Sequence, residues 1–316
     1  MSNAQIIPAQ NTQLTQQAQL DELLNPWAQA LALRVSAQEL AENSSKSYQR
    51  GARRFLDFCL AQDLNPRAPD SVREWKAALL TEYKPATVNA WLAGVKALFA
   101  WLSETGIISH NPAEHIKGAK RKGTNKRHAR ESLTDNEMRR LLALPDESAQ
   151  GKRDAAILAL MSYAALRQVE VYRADLADLK TQSGRLVLEV QGKGRQEKDE
   201  IVVIMGDAEQ ALRDWISARG SDEGALFVSL SNRSRGERLC LRAIRGIVKK
   251  YYSLAGIVGN KTTHSLRHTA ITKAISAGVP IQKVKGLARH SSIETTMIYF
   301  HELDRLEDPA EAYISY

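Results

Sequence analysis

A basic stretch near the middle of the chain constrains the fold more than any other feature, because it separates two parts of unlike pattern. It covers residues 116–130, contains Gly118 and Gly123, and lacks periodic apolar residues. Such a segment has no apolar face to bury, so it is predicted to be a linker. A length of 316 residues also fits two ordinary domains better than one. The cations of this stretch are Lys117, Lys120, Arg121, Lys122, Lys126, Arg127 and Arg130.

The part before the linker is predicted to be a helical bundle over residues 17–115, preceded by a disordered lead-in over residues 1–16 that is rich in Gln, Asn and Thr. Asp70 is the expected N-cap of its third helix. In its fourth, Pro85 sits where a first turn tolerates proline, apolar residues recur at three- and four-residue steps, and Gly106 is a natural stop. The four helical patterns run at about 20–33, 45–61, 70–80 and 85–102.

The part after the linker, residues 131–316, is predicted to be a mixed α/β domain that is mostly helical. It opens with a capping box, in which Thr134 is followed three residues later by Glu137. Two short β-prone runs at 186–190 and 201–204 flank a polar loop and predict an antiparallel hairpin. Further helices are expected at about 153–163, 208–218, 240–254, 265–277, 281–287 and 293–300.

The charge of the chain narrows its possible partners. Its 44 Lys and Arg against 36 Asp and Glu give a net charge of +8. A basic surface favours a polyanionic partner, although charge alone equally fits a merely basic protein. In the linker, the density of cations favours contact with a DNA backbone over a solvated hinge. The two cysteines, Cys59 and Cys240, are expected to be reduced and buried in a cytoplasmic protein.

The second part also offers the groups that phosphodiester cleavage without a metal requires. Cations must hold the non-bridging oxygens, a nucleophile must lie in line with the leaving oxygen, and that oxygen must receive a proton. Arginine suits the first task because its planar fork matches two phosphate oxygens. The candidate segments are Ala165-Leu166-Arg167-Gln168-Val169-Glu170, Gly192-Lys193-Gly194, His264-Ser265-Leu266-Arg267-His268-Thr269 and Leu287-Ala288-Arg289-His290-Ser291-Ser292, the last followed by Thr295, Thr296 and Tyr299.

These segments resemble, in the same order, the motifs of the tyrosine recombinase (phage integrase) family, the group of lambda integrase, Cre and the Xer proteins. The resemblance covers about residues 131–301 in motif detail, and four boxes in register are a specific signal. The N-terminal part resembles the family's core-binding domain only in length, helix content and position. The resemblance implies a four-helix, SAM-like core-binding bundle followed by the tyrosine recombinase catalytic fold with its small antiparallel sheet.

The resemblance also implies roles for individual residues on the phosphate. Arg167 and Arg267 would grip the scissile phosphate and stabilise its transition state. His290 would donate a hydrogen bond to a non-bridging oxygen and help to place the tyrosine. Glu170 would orient the arginine and the histidine without touching DNA.

Three further residues would move protons or form bonds. Tyr299 would attack phosphorus and give a 3′-phosphotyrosyl link with a free 5′ hydroxyl. Lys193 would be the general acid for the 5′ leaving oxygen, and His264 resembles the family's acid/base histidine. The covalent link conserves the energy of the broken bond, so that resealing would require neither ATP nor a metal. No cofactor is expected.

Departures from the family pattern affect two positions and one loop. Ala165 and Arg289 stand where the family usually has glycine. For Arg289, either the backbone does not need the glycine conformation or the side chain reaches outward, towards a phosphate. The acidic run after Lys193 leaves open a competing role for Lys198.

The implied assembly is a homotetramer on two double-stranded DNA sites, together with accessory proteins. The C-terminal tail over residues 303–316 is expected to dock into a neighbouring subunit, the alternative being that it folds back on its own domain. The reaction would serve integration or excision of a mobile element, or Xer-like dimer resolution. Two rival functions are a type IB topoisomerase-like enzyme and a catalytically inactive DNA-binding protein of the same fold. His264 and His268 lie four residues apart but lack a third ligand, so a metal site is not expected.

Overall fold

The computed structural model describes residues 9–120, 131–192, 197–220 and 223–299 of the chain. The chain divides into two compact units, Met1–Thr124 and Asn125–Tyr316. Each unit has its own apolar core. Helices predominate in both units, as the sequence predicted, and the described strands form one small sheet.

Helices make up the regular structure of the first unit. Four are described, as α1 (Ala9–Ser36), α2 (Glu42–Ala61), α3 (Pro69–Glu82) and α4 (Pro85–Glu104). Pro85 occupies the first turn of α4, and Gly106 follows its end with a positive φ of 73°. The predicted start and stop of this helix are therefore confirmed. The core contains Trp27, Leu31, Phe55, Trp75, Leu98 and Phe99. Phe55 makes edge-on contacts with the rings of Trp75 and Phe99, an arrangement that aromatic quadrupoles favour.

Two details of the first unit correct the sequence predictions. Helical backbone starts at Ala9 and therefore includes residues 9–16, which were expected to precede the first helix without order. Gln, Ala and Leu are good helix formers, so polar composition alone was a poor guide there. Asp70 is not the N-cap of α3: the helix begins one residue earlier, at Pro69, and Asp70 lies in its first turn. Proline at that position is compatible with a helix start because its missing N–H would have no partner.

Two glycines bring α2 and α4 into unusually close contact. A Cβ added to Gly51 of α2 would lie 2.3 Å from the carbonyl oxygen of Trp91 in α4. A Cβ added to Gly94 of α4 would lie 2.3 Å from the carbonyl oxygen of Tyr48 in α2. The two contacts are reciprocal, and in both the neighbouring atoms belong to the backbone. The helices therefore pack backbone against backbone at this crossing.

The second unit combines helices with a three-stranded antiparallel sheet in the order β1-β2-β3. The strands β2 and β3 form the predicted hairpin, with Val187 opposite Val203. The strand β1 was not predicted, because its sequence Leu-Lys-Thr-Gln lacks apolar alternation. The elements are α5 (Asp135–Leu142), α6 (Ala149–Tyr163), α7 (Gln168–Arg173), β1 (Leu179–Gln182), β2 (Arg185–Val190), β3 (Glu200–Ile204), α8 (Asp207–Arg219), α9 (Leu241–Leu254), α10 (Thr263–Ser276), α11 (Ile281–Ala288) and α12 (293–299).

The core of the second unit forms around α6, which is buried on nearly all sides. Trp215 of α8 is fully buried, and its indole N–H donates to the carbonyl of Leu226 at 2.9 Å. The predicted capping box of α5 is confirmed: the Thr134 hydroxyl accepts from the Glu137 amide, and the Glu137 carboxylate accepts from the Thr134 amide. This core fixes the ends of α6, α7, α10 and α11, from which the candidate site is built.

The two cysteines differ in exposure. Cys59 is buried as expected, whereas Cys240 is exposed, because it lies at the position just before α9 begins.

No described helix is long and apolar enough to cross a bilayer.

Candidate active site

Arg167 lies where α6 has ended and α7 begins. It is the N-cap residue of α7, and its backbone amide donates to the Glu170 carboxylate at 2.7 Å. Its guanidinium donates to Oε1 of Glu170 at 2.6 Å and to the carbonyls of Ala288 and Arg289 at 3.2 and 3.0 Å. Eighteen per cent of the side chain is exposed. The arginine is thus held rigidly with one edge at the surface.

Arg267 approaches the same place from α10. Its guanidinium donates to the carbonyl of Ala165 at 2.5 Å and to the carbonyl of Ala288. Only 2% of the residue is exposed. Burial, reinforced by the neighbouring guanidiniums of Arg167 and Arg289, lowers the pKa of Arg267 to about 9. An anion placed beside these three cations would relieve their repulsion, which makes the cluster a site prepared for negative charge.

Glu170 is the anion of the cluster and is almost completely buried. One carboxylate oxygen accepts from Arg167, and the other accepts from Nη2 of Arg289 at 2.7 Å. Burial raises the pKa of Glu170, but the charges of Arg289 and Arg167 outweigh that effect and hold the pKa below its usual value. Glu170 therefore contacts both Arg167 and Arg289 directly.

The expectations for Arg289 are both corrected. Its backbone has a φ of 47°, so the left-handed conformation is present although the residue is not glycine. Its side chain does not reach outward: 4% is exposed, and the guanidinium pairs with Glu170. Ala165 has the same feature, with a φ of 51°. At both positions the carbonyl oxygen accepts from an arginine of the site.

Tyr299 ends the described part of the chain, in α12. Its ring centroid lies 4.8 Å from that of His268 and 6.1 Å from that of His290. His290 shares a hydrogen bond between Nδ1 and the Thr296 hydroxyl at 2.9 Å, which orients its imidazole. Tyr299 is 5% exposed and packs with Ile271 and other apolar side chains. The tyrosine ring thus faces His290, whose chain neighbour Arg289 gives its carbonyl to Arg167.

His264 lies at the exposed start of α10, three residues before Arg267. It lines a pocket of about 510 Å³ together with Gln168, the residue after Arg167. The other lining residues are Arg245, Val248, Lys249, Tyr252, Lys261, Thr262 and Thr263. Sequence reasoning missed this basic lining, although the four-residue spacing of Arg245 and Lys249 on α9 was a signal for it.

Lys193 lies outside the described residues, so its position relative to the cluster is not part of the structure. Lys198, its possible competitor, has three protein partners: the Asp175 and Asp178 carboxylates, at 2.9 and 2.5 Å, and the Arg173 carbonyl at 3.0 Å. Burial lowers the pKa of Lys198, but its hydrogen bonds to Asp178 and Asp175 raise it above the usual value overall. A lysine held as an ion by two carboxylates is a poor proton donor.

The predicted linker cations are described only in part. Lys117 and Lys120 are exposed, and the backbone beside them is fixed within the first unit. The remaining five fall outside the described residues: Arg121, Lys122, Lys126, Arg127 and Arg130. Among the described residues, no group of three His, Cys, Asp or Glu side chains could hold a metal ion.

The sequence of this chain is similar to those of a known family and of several named proteins. Residues 131–305 match the phage integrase family. A tyrosine recombinase of Synechococcus elongatus is 32% identical over 274 residues, which cover 81% of this chain and 84% of the relative. The tyrosine recombinase XerC of Thermodesulfovibrio yellowstonii is 31% identical, with coverage of 83% and 86%.

Solved structures show the same fold. The XerH site-specific recombinase bound to a palindromic difH substrate, in a post-cleavage complex, has a TM-score of 0.69 at 19% identity, covering 99% of this chain and 91% of that one. A lambda integrase dimer bound to a COC′ core site has a TM-score of 0.64 at 15% identity, covering 87% and 96%. At these identities the likeness concerns the fold alone.

Proposed function

The chain belongs to the phage integrase family and is a tyrosine-type site-specific recombinase, and from that premise we propose which of its residues cleave and rejoin DNA. Tyr299 attacks the scissile phosphorus and displaces the 5′ oxygen, while its phenol proton passes to an acid/base group of the site. The product is a 3′-phosphotyrosyl link and a free 5′ hydroxyl, and the reverse attack by a 5′ hydroxyl reseals the strand. The number of phosphoester bonds is unchanged, so the cycle uses neither ATP nor a metal.

Arg167 and Arg267 hold the phosphate in this proposal. A guanidinium has five N–H donors. Within the described residues, Arg167 makes three side-chain hydrogen bonds and Arg267 makes two, which leaves donors on both for the non-bridging oxygens. Their carbonyl anchors fix the guanidiniums before DNA arrives, so little reorganisation is needed as charge develops in the transition state.

His290 and Tyr299 supply the attacking side of the reaction. The hydrogen bond with Thr296 sets the orientation of the His290 imidazole, and we assign to this histidine the hydrogen bond to a non-bridging oxygen. The ring of Tyr299 lies beside that of His290, which follows Arg289, and the Arg289 carbonyl accepts from Arg167. The tyrosine is buried and packs in an apolar cluster with Ile271 and Val284.

Lys193 delivers a proton to the departing 5′ oxygen, since an alkoxide is a poor leaving group without one. The contacts of Lys198 with Asp175 and Asp178 support this choice between the two lysines. His264, at the start of α10, serves as a further acid/base group at the edge of the basic pocket. Both roles follow the order of the family motifs.

The DNA partner is a duplex that both units contact. The net charge of +8 and the linker cations Lys117, Lys120, Arg121, Lys122, Lys126, Arg127 and Arg130 support this proposal. Each active site cuts one strand, and exchange of two duplexes requires four cuts, so four subunits act on two DNA sites. The tail over residues 303–316 is exchanged between these subunits. The protein works in the cytoplasm, at the nucleoid.

The observation that carries the proposal is that Arg167, paired with Glu170, and Arg267 from a distant segment share the carbonyl of Ala288, two residues before His290, whose ring faces Tyr299. The test begins with a pool of nicked duplexes whose half-sites are randomised, incubated with the protein without metal or ATP. A nick beside the scissile bond lets the short 5′ fragment leave and traps the covalent adduct. Sequencing of the trapped DNA defines the site.

Two duplexes carrying the selected site then separate the possible functions. We expect strand exchange between them, with adducts that disappear in Tyr299→Phe. Relaxation of a supercoiled circle without exchange would favour a topoisomerase, and sequence-specific retention without any adduct would favour a DNA-binding protein. The comparisons with tyrosine recombinases support the first outcome.

A further inference from the structure

Arg289 is unusual among the arginines of the site because it directs all of its donors into the protein. Its Nε and Nη2 atoms contact the two oxygens of Glu170 at 3.3 and 2.7 Å. Nη2 also donates to the carbonyl of Ala165 at 2.8 Å. Nη1 donates to the carbonyl of Leu287 at 2.8 Å and contacts that of Ala164 at 3.5 Å. These five contacts match the five N–H groups of a guanidinium, so no donor remains for a phosphate.

The neighbours of Arg289 depend on the same acceptors. The carbonyl of Ala165 accepts from both Arg289 and Arg267. The carbonyl of Arg289 itself accepts from Arg167, and the left-handed backbone at this residue sets the direction of that carbonyl. Arg289 therefore contacts, or shares an acceptor with, every charged group of the buried cluster.

The charge of Glu170 explains why such a contact matters. Its carboxylate is buried, and a buried anion draws the nearest cations into full pairing. Because Arg289 contacts both oxygens of Glu170, Arg167 gives only one guanidinium nitrogen to this carboxylate. Without Arg289, a single arginine would have to neutralise the carboxylate, and the cluster would present less positive charge to a phosphate.

We propose that Arg289 is a positioning residue that neutralises Glu170, so that the positive charge and the remaining donors of Arg167 and Arg267 are available to the scissile phosphate. The inference rests on the proposed function and deepens it, because it adds a third guanidinium that never touches the DNA. It concerns a position at which this chain departs from the family's usual glycine.

The test compares the rate of covalent adduct formation on two versions of the selected nicked duplex. One carries the natural phosphate, and the other carries an uncharged methylphosphonate at the scissile position. In Arg289→Met, loss of one member of a buried charge pair should slow cleavage of the phosphate by at least about 30-fold. The methylphosphonate places little demand on the arginine charges, so its cleavage should slow by much less. Equal slowing on both substrates, or none on either, would overturn the inference.

A double-mutant cycle distinguishes loss of the Arg289–Glu170 interaction from poor folding of the variant. Arg289→Met combined with Glu170→Gln removes both charges while keeping similar shapes, and it should cleave the phosphate faster than Arg289→Met alone. Additive losses would contradict the proposal. Arg289→Lys, which keeps the charge, should recover part of the rate. Circular dichroism of each variant reports on folding.

A matched pair of surface residues provides the control. Arg213 and Glu209 form an exposed ion pair in α8 of the same unit. Arg213→Met and Glu209→Gln should leave both substrates unaffected, because exposed pairs contribute little. If the unaltered protein forms no adduct with any duplex in the pool, the proposed function fails and this inference fails with it. If the unaltered protein forms adducts and Arg289→Met forms them at the same rate, only the inference about Arg289 fails.

Discussion

Replacement of Gly51 by Ala should destabilise the protein, although alanine is the better helix former. In an unhindered helix interior the change would stabilise by about 1 kcal/mol. At Gly51, however, the new Cβ would lie 2.3 Å from the carbonyl oxygen of Trp91 and 2.8 Å from its Cα. Backbone atoms cannot rotate away as a flexible side chain can. The two helices would have to move apart by about 1 Å to restore an ordinary contact.

The distance by which α2 and α4 must move apart determines how far the free energy of unfolding falls. Overpacking of this kind costs about 1–3 kcal/mol, and rigid backbone on both sides favours the upper end. After the gain in helix propensity is subtracted, the free energy of unfolding should fall by about 2 kcal/mol. Gly94→Ala should behave alike, because its Cβ would meet the carbonyl oxygen of Tyr48 at the same distance.

The assay is urea unfolding followed by tryptophan fluorescence. Four of the five tryptophans, Trp27, Trp75, Trp91 and Trp101, lie in the first unit, so the signal reports chiefly on that unit. Gly246→Ala in α9 is the control, since a Cβ there has no neighbour within 4 Å and the change should stabilise its own unit slightly. That control is followed by far-ultraviolet circular dichroism. An increase in stability for Gly51→Ala would refute the close packing of α2 against α4.

Three further results are expected. Thr134→Ala should lower the free energy of unfolding by about 1 kcal/mol in urea titrations, through loss of the α5 cap; no change would mean that the cap is dispensable. The folded state lowers the pKa of Glu170, so its stabilising contribution is full above the usual value of 4.5 and disappears as the pH falls through the lowered value. Stability measured from about pH 7 to pH 3 should therefore fall less steeply for Glu170→Gln, and parallel curves would contradict that linkage. Lys249→Ala should reduce the slope of log binding constant against log salt by about 0.9 on duplex DNA, whereas an unchanged slope would exclude a phosphate contact from the basic pocket.

Local signals in the sequence predicted much of the fold. Pro85 and Gly106 delimit α4, and the Thr134–Glu137 box starts α5, because both signals act within a few residues. The hairpin of β2 and β3 followed from its apolar runs. The strand β1 could not be predicted in this way, since it is polar and its pairing with β2 alone makes it a strand.

The sequence identified residues of the candidate site but not the hydrogen bonds and ion pairs among them. The motifs identified Arg167, Arg267 and Glu170, and the structure brings them together. The inward direction of Arg289 depends on a carboxylate 119 positions earlier in the chain and on a left-handed backbone that only packing can maintain. No local pattern contains that information. The basic lining of the pocket beside His264 was likewise hidden, because α9, α10 and the start of α7 contribute to it from distant parts of the sequence.

The most direct test of the central claim is to locate the covalent link itself. The trapped adduct is digested with nuclease and protease, and the peptide that retains a nucleotide is sequenced by mass spectrometry. We predict a 3′-phosphate ester on the phenol oxygen of Tyr299, with a 5′ hydroxyl on the released fragment. A nucleotide on any other side chain, or a 5′-phosphoryl link, would contradict the account.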